Sequence, residues 1–254
     1  MRLDDEQRLA LARQAAERAA GALRPFLNGQ AGVLAADGRD IKTRADLAAE
    51  AALLEALAGT GPVLAEESGA SAGVDLEAGT WVIDPLDGTL NFTRGFPMAA
   101  VSVAWWAGGE PRLGVVLDLG SGDCFEGCVG SGARLNGRQI AVSDIQDPGQ
   151  AILATGFPSG ASQDTDVLLP FLRRLQRVKK VRLLGSAALS LAQVAAGRFD
   201  LYHEDGIWLW DVAAGLALVR AAGGKIAPLE IRDDWTCNCL ASNGHLPLNQ
   251  LLDS

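Results

Sequence analysis

Trp81-Val82-Ile83-Asp84-Pro85-Leu86-Asp87-Gly88-Thr89-Leu90-Asn91-Phe92 is the stretch on which the reading of this chain turns. Its first three residues are apolar and predict a short buried strand, which runs directly into two carboxylates three positions apart. Pro85 fixes its own φ and forces Asp84 into an extended conformation, so the exit from the strand is stiff. Gly88 lets the backbone approach a ligand closely, and Thr89 adds a hydroxyl. An Asp-Gly pair alone most often closes a turn between two strands. Such a turn needs neither the second aspartate nor the threonine, so the combination points to a metal or phosphate site.

Two other segments carry acids in comparable positions. Leu64-Ala65-Glu66-Glu67-Ser68 sets two glutamates at the end of another apolar strand. Taken alone it reads as a solvated helix or loop start. Trp208-Leu209-Trp210-Asp211-Val212-Ala213-Ala214-Gly215 places Asp211 at the head of a helix, where an aspartate is a good N-cap. A capping carboxylate can still lend an oxygen to a metal.

Around these segments the pattern is mixed. Residues 1–27 read as an amphipathic helix, with Leu9, Ala12, Ala16, Ala19, Leu23 and Leu27 on one face. Residues 28–44 read as an exposed loop, and 45–58 as a second helix. Short strands are predicted at 63–65 and 81–83. Two longer ones, at 100–106 and 112–117, are joined by a Gly108-Gly109-Glu110-Pro111 turn. The second half gives a helix over 166–178, a strand over 181–184, a helix over 187–196, a strand over 199–203 and a helix over 210–222. A polar stretch at 143–149 marks a soft boundary between an N-terminal half, 1–142, and a C-terminal half, 143–254. The fold class is α+β, with helices bracketing sheets.

Composition narrows the function. The 254 residues are 48% hydrophobic and 21% charged, a globular balance. With 22 basic against 31 acidic residues the formal net charge is −9, which argues against nucleic acid or an anionic membrane as a direct partner. A phosphorylated small molecule stays open, because bound divalent cations reverse the local sign. The first six residues lack an apolar core and no run of 18 apolar residues follows, so a cytoplasmic protein with reduced thiols is expected. Cys124/Cys128 and Cys237/Cys239 lack zinc-ligand spacing, and two histidines supply a Ser-His-Asp or Cys-His hydrolase poorly. The chemistry is expected from the acids.

In this order, Glu66-Glu67-Ser68, the 81–92 segment and Trp210-Asp211-Val212-Ala213-Ala214-Gly215 resemble the inositol monophosphatase family of Mg²⁺-dependent, lithium-sensitive phosphatases. The resemblance covers about residues 3–245. It implies a layered α-β-α-β-α sandwich, as in fructose-1,6-bisphosphatase, and a homodimer. It also implies two or three Mg²⁺ ions per subunit. Glu66, Asp84 and the Leu86 carbonyl would hold the first, while Asp84, Asp87 and Asp211 would hold the second, with Glu67 acting through water. Such a hard oxygen set suits Mg²⁺. Thr89 and Asp46 would position the attacking water, although Asp46 alone reads as the cap of the 45–58 helix. The Gly88 and Thr89 amides would hold phosphate oxygens. Gly185, Ser186 and Ala187 would face the alcohol, with Glu204 accepting from its hydroxyls.

Two departures stand out. Ala35 occupies the place of a loop lysine found in many members, with Arg39 or Lys42 as substitutes. Trp208 is bulky for a plain inositol site and is expected to pack at a domain or dimer surface. The implied reaction is hydrolysis of a small polyol phosphate, inositol 1-phosphate first. Fructose-1,6-bisphosphatase, histidinol-phosphate phosphatase and 3′-phosphoadenosine 5′-phosphate nucleotidase activities are the alternatives within the superfamily. Leu90-Asn91-Phe92 favours the inositol group. A regulatory protein-binding role, as in bacterial relatives associated with the transcription machinery, is the alternative from another class.

Overall fold

The computed structural model describes residues 3–27, 32–37, 40–157 and 165–247. Helix α1 (Asp5–Leu23) opens on a capping box in which Asp4 and Gln7 satisfy each other's backbone amides. The expected helix over 1–27 therefore stops at Leu23, followed by one 3₁₀ turn over Arg24–Phe26. The segment read as an exposed loop contains a small antiparallel hairpin instead, β1 (Val33–Asp37) with β2 (Asp40–Thr43). Its strands are short and lack strict apolar alternation, which hid them. β2 leads into α2 (Arg44–Leu57).

An eight-stranded sheet follows, built from β3 (Val63–Ala65), β4 (Gly69–Ala70), β5 (Thr80–Asp87), β6 (Ala100–Ala107), β7 (Glu110–Asp118), β8 (Cys124–Cys128), β9 (Gly132–Leu135) and β10 (Arg138–Ile140). The short helix α3 (Thr89–Thr93) separates β5 from β6. Spatial order is β10-β9-β8-β7-β6-β5-β3-β4. All pairs are antiparallel except β3 with β5, which run parallel.

Both faces of this sheet are covered, so its central strands are apolar throughout. On one face Trp81, Ile83, Val101, Val103, Trp105, Leu113 and Val115 pack against α1 and α2. On the other, Val82, Ala100, Ala104, Trp106 and Val116 meet a second helical layer. That layer consists of α5 (Ala187–Ala195) and α6 (Leu209–Ala221). Every residue of α6 from Val212 to Val219 is buried, the pattern of a helix enclosed on all sides. The layers approach closely because small residues meet there. A Cβ on Gly114 of β7 would lie 2.3 Å from the Ala214 carbonyl oxygen of α6, and within the helical layer one on Gly215 of α6 would lie 2.4 Å from Leu191 Cβ of α5.

The second sheet has the order β12-β11-β13-β15-β14. Its strands are β11 (Ile152–Thr155), β12 (Lys180–Arg182), β13 (Leu201–Trp208), β14 (Lys225–Ile226) and β15 (Thr236–Ser242). On its far side Leu175 of α4 (Thr165–Leu175) joins Leu153 and Leu201 in a small third core. The layers thus run helix, sheet, helix, sheet, helix. β13 extends to Trp208, five residues beyond the expected strand end at 203. A register irregularity between Glu204 and Ile207 bends it where glycine interrupts the apolar pattern. Among the described residues no helix is long and apolar enough to cross a membrane.

Candidate active site

The parallel pairing of β3 and β5 builds the site. Val63, Leu64 and Ala65 stand opposite Trp81, Val82 and Ile83, so the next residues, Glu66 and Asp84, emerge side by side. β5 continues through Pro85 to Asp87, further than the sequence reading, and its pairing with β6 is irregular between Asp84 and Asp87. The Asp84 carboxylate turns back onto the Leu86 amide, 2.9 Å away. Gly88 then has φ +86° and starts α3 rather than a hairpin turn. A side chain there would meet the Met98 carbonyl oxygen at 2.6 Å, so protein backbone already imposes glycine.

Glu66, Asp84, Leu86, Asp87, Gly88, Thr89, Gly185, Ser186, Ala187, Glu204 and Asp211 line one cavity of about 250 Å³. The carboxylate of Asp87 lies against the N-terminus of α5. It accepts from Ser186 Oγ at 2.5 Å, the Ala188 amide at 2.8 Å and the Ala187 amide at 3.3 Å. Ser186 also caps α5 by accepting from the Leu189 amide, so the ordinary cap and a site contact coexist. Asn91 fastens this arrangement. Its Nδ2 lies 2.8 Å from the carbonyls of Met98 and Leu184 and 3.2 Å from that of Gly185. The sequence reading used Asn91 only to sort subfamilies.

Asp46 is not the cap of α2. Thr43 is, and Asp46 stands three residues on, its Oδ2 accepting from the Thr43 amide at 2.7 Å and from Thr43 Oγ1 at 2.5 Å. That frees Asp46 Oδ1 to lie 3.0 Å from Thr89 Oγ1, which is also 2.9 Å from the Leu86 carbonyl. With one proton, the hydroxyl donates to one of these at a time. Asp211 likewise sits inside the first turn of α6, with Trp208 at the cap position. Lys42 pairs with Glu67, whose amide donates to Glu50 Oε2 at 2.9 Å. Glu50 is buried and was missed; an acid at mid-helix carries no sequence signal. Arg39 lies outside the described residues, and Ala35 is in β1.

The far wall of the cavity comes from the second sheet. Glu204 Oε2 accepts from Tyr202 Oη at 2.6 Å. Gly156 is required beside it, since a Cβ there would lie 2.4 Å from that same oxygen. Neither Gly156 nor Tyr202 was legible beforehand. Trp208, expected at a domain or dimer surface, lines this cavity and stacks on Trp210, ring centroids 5.0 Å apart and planes 5° from parallel.

The crowding is electrostatically costly. Burial, then the neighbouring Asp84 charge, pushes Glu66 well above the usual carboxylate range. Burial does the same to Asp84, reinforced by Asp87 and Asp211, and to Asp211, reinforced by Asp87 and Glu66. Burial raises Asp87 to about 6, against the opposing pull of Ser186 and the α5 amides. Glu204 rises to about 7 through burial, and Asp46 rises for the same reason despite Thr43. Among the described residues, buried Glu66 Oε2 has no hydrogen-bond partner. An orphaned oxygen amid acids resisting ionisation fits a hard dication. No three His, Cys, Asp or Glu side chains among the described residues yet surround one point as ligands, Asp87 being turned to α5. The four cysteines are free thiols.

The family model "Inositol monophosphatase family" matches residues 4–247. Nus factor SuhB of Escherichia coli (strain K12) is 42% identical over 192 residues, covering 74% of this chain and 72% of that protein. An inositol-1-monophosphatase of Synechocystis is 39% identical over 221 residues, covering 84% and 77%. The solved structure of an inositol monophosphatase from Anabaena superposes with a TM-score of 0.81 at 35% identity, over 94% of this chain and 92% of that one. This family is generally Mg²⁺-dependent. With its acids gathered at one cavity between two sheets, the chain belongs to the inositol monophosphatase family and is a phosphatase, a phosphoric monoester hydrolase.

Proposed function

We propose that the protein hydrolyses the phosphate monoester of a small polyol, inositol 1-phosphate before others, using two or three Mg²⁺ ions. The β3–β5 register carries this reading, because it brings Glu66 beside Asp84 with one glutamate oxygen unpartnered. Glu66, Asp84 and the Leu86 carbonyl would hold one ion; Asp84, Asp87 and Asp211 a second; Glu67 would act through water. Bound Mg²⁺ supplies water activation and neutralisation of the leaving oxygen. Thr89 Oγ1 and Asp46 orient the attacking water in line with the phosphorus, and Asp46 stabilises the proton that the water sheds. The Gly88 and Thr89 amides donate to phosphate oxygens. Glu204 accepts from the alcohol's hydroxyls beside Gly185, Ser186 and Ala187. The alcohol leaves and takes up a proton, and no covalent enzyme intermediate forms.

The same reading makes residues 1–142 the half carrying most metal ligands and 143–254 the half carrying Asp211 and the substrate wall. It takes the protein as a cytoplasmic, lithium-sensitive homodimer. The test is phosphate release with and without Mg²⁺ from inositol 1-phosphate, fructose 1,6-bisphosphate, histidinol phosphate and 3′-phosphoadenosine 5′-phosphate, with Asp84→Asn as blank. Mg²⁺-dependent turnover, fastest on inositol 1-phosphate and absent in the variant, is the expected result. Turnover fastest on another substrate would move the protein to that subfamily. Identity to a Nus factor favours a second reading, a protein-binding regulatory role. A cellular phenotype that survives Asp84→Asn would select it.

A further inference from the structure

Trp208 is the one large aromatic of the acidic motifs that lines the cavity. Its ring lies almost parallel to that of Trp210, which belongs to the enclosed helix α6 and is 8% exposed. Among the described residues the Trp210 Nε1 is buried without a hydrogen-bond partner, so packing rather than a polar anchor fixes that ring. The stack in turn sets the plane of Trp208. Trp208 itself stays partly exposed and lines the same cavity as Glu204, on the strand just beyond the irregularity that bends β13. Glu204 brings a carboxylate to this cavity and Trp208 an indole whose one face is stacked on Trp210, with Ile207 between them in sequence.

This pairing matches one kind of leaving group. A cyclic polyol has a rim of hydroxyls and a ring face of C–H bonds, whereas an open-chain polyol has no comparable face. Building on the phosphatase reading above, we propose that Trp208 is a specificity-determining residue that stacks on the C–H face of a cyclic polyol while Glu204 accepts from its hydroxyl rim. An aromatic face contributes by its quadrupole and its area, so a modest effect confined to ring substrates is expected.

The test compares inositol 1-phosphate with glycerol 2-phosphate, an open-chain ester, in the wild type, Trp208→Ala and Trp208→Phe. For Trp208→Ala, KM for inositol 1-phosphate rises about three- to tenfold with kcat little changed, while glycerol 2-phosphate changes less than twofold. Trp208→Phe keeps most of the ring preference. Equal changes for both substrates, or none, overturn the proposal. A second readout needs no turnover. The stacked indoles give a coupled circular-dichroism signal that myo-inositol, added with inorganic phosphate and Mg²⁺, perturbs, whereas glycerol in its place does not. If the wild type hydrolyses nothing yet this signal responds to inositol alone, the phosphatase reading fails and the role of Trp208 stands. If hydrolysis proceeds but the signal ignores inositol, the role of Trp208 falls and the phosphatase reading stands.

Discussion

Removing divalent cations should make this protein less stable as pH rises from 5 to 7.5, and Asp87 gives the size of the effect. Burial lifts its carboxyl from the ordinary 3.8 to about 6. Between those values the folded chain holds more protons than the unfolded one, so stability is greatest below the lower value and falls as pH climbs through the higher. For a single group the whole loss is about 3 kcal/mol, of which about 1.4 kcal/mol falls between pH 5 and 7.5. In a chain of this length that corresponds to a fall in Tm of roughly 3–6 °C. Glu66, Asp84 and Asp211 are raised in the same direction and add to it. On the proposed ligand set Mg²⁺ would be held by the ionised acids, so its stabilising increment should be larger at pH 7.5 than at pH 5. The assay is calorimetry of EDTA-treated protein against pH, repeated with Mg²⁺ and with Asp87→Asn, whose pH slope should be shallower. A cation-free Tm that stays level or rises over this range, or a variant with the wild-type slope, would refute the electrostatic account of the cavity.

Gly156→Ala drives a methyl into Glu204 and should raise KM for a polyol phosphate about tenfold or more, with kcat less affected; steady-state kinetics decide it. Thr89→Ala removes the hydroxyl shared by Asp46 and Leu86 and should lower kcat about a hundredfold while KM moves little; parallel losses in Mg²⁺ affinity would contradict that role. Asn91→Ala leaves carbonyls of Met98, Leu184 and Gly185 without its amide and should cost about 2–3 kcal/mol in denaturant unfolding; an unchanged midpoint would mean that water replaces it. Burial lifts the Cys237 thiol to about 12 and Cys239 well above its ordinary value, so both should resist a thiol reagent at pH 7.5 until the chain unfolds. Rapid labelling of either in native protein would be inconsistent with a closed second sheet.

The central elements were legible because burial on two faces leaves an unbroken apolar signature. The strands at 63–65, 81–83 and 100–106 and the helix over 187–196 fall where that signature does. Glu66 and Asp84 were legible because each follows such an element directly, whereas Asp46 and Glu204 were named only through the family resemblance. What stayed hidden has weaker local signals. The β1–β2 hairpin and strands β8 to β10 are short, polar or glycine-containing, and exist through their neighbours. Gly156, Glu50 and Asn91 act across the chain, on Glu204, the Glu67 amide and the Gly185 turn respectively. Such partners lie 17 to 94 positions away in two of these cases, beyond any periodic pattern. The place of Trp208 in the cavity wall was not legible because bulk says nothing of direction; the irregularity after Glu204 supplies it.

The thin seam between β7 and α6 bears on how the cavity can change over time. Asp84 rides on the first sheet and Asp211 on α6, so their separation is a dimension of the whole scaffold, set partly by Gly114 of β7 beneath Ala214 of α6. One added methyl at that seam acts as a shim, prying the two acids apart without touching either. On the proposed ligand set, cation affinity would then become a heritable gauge of interlayer thickness. Lineages could retune it from positions that no comparison of the cavity's own residues would flag.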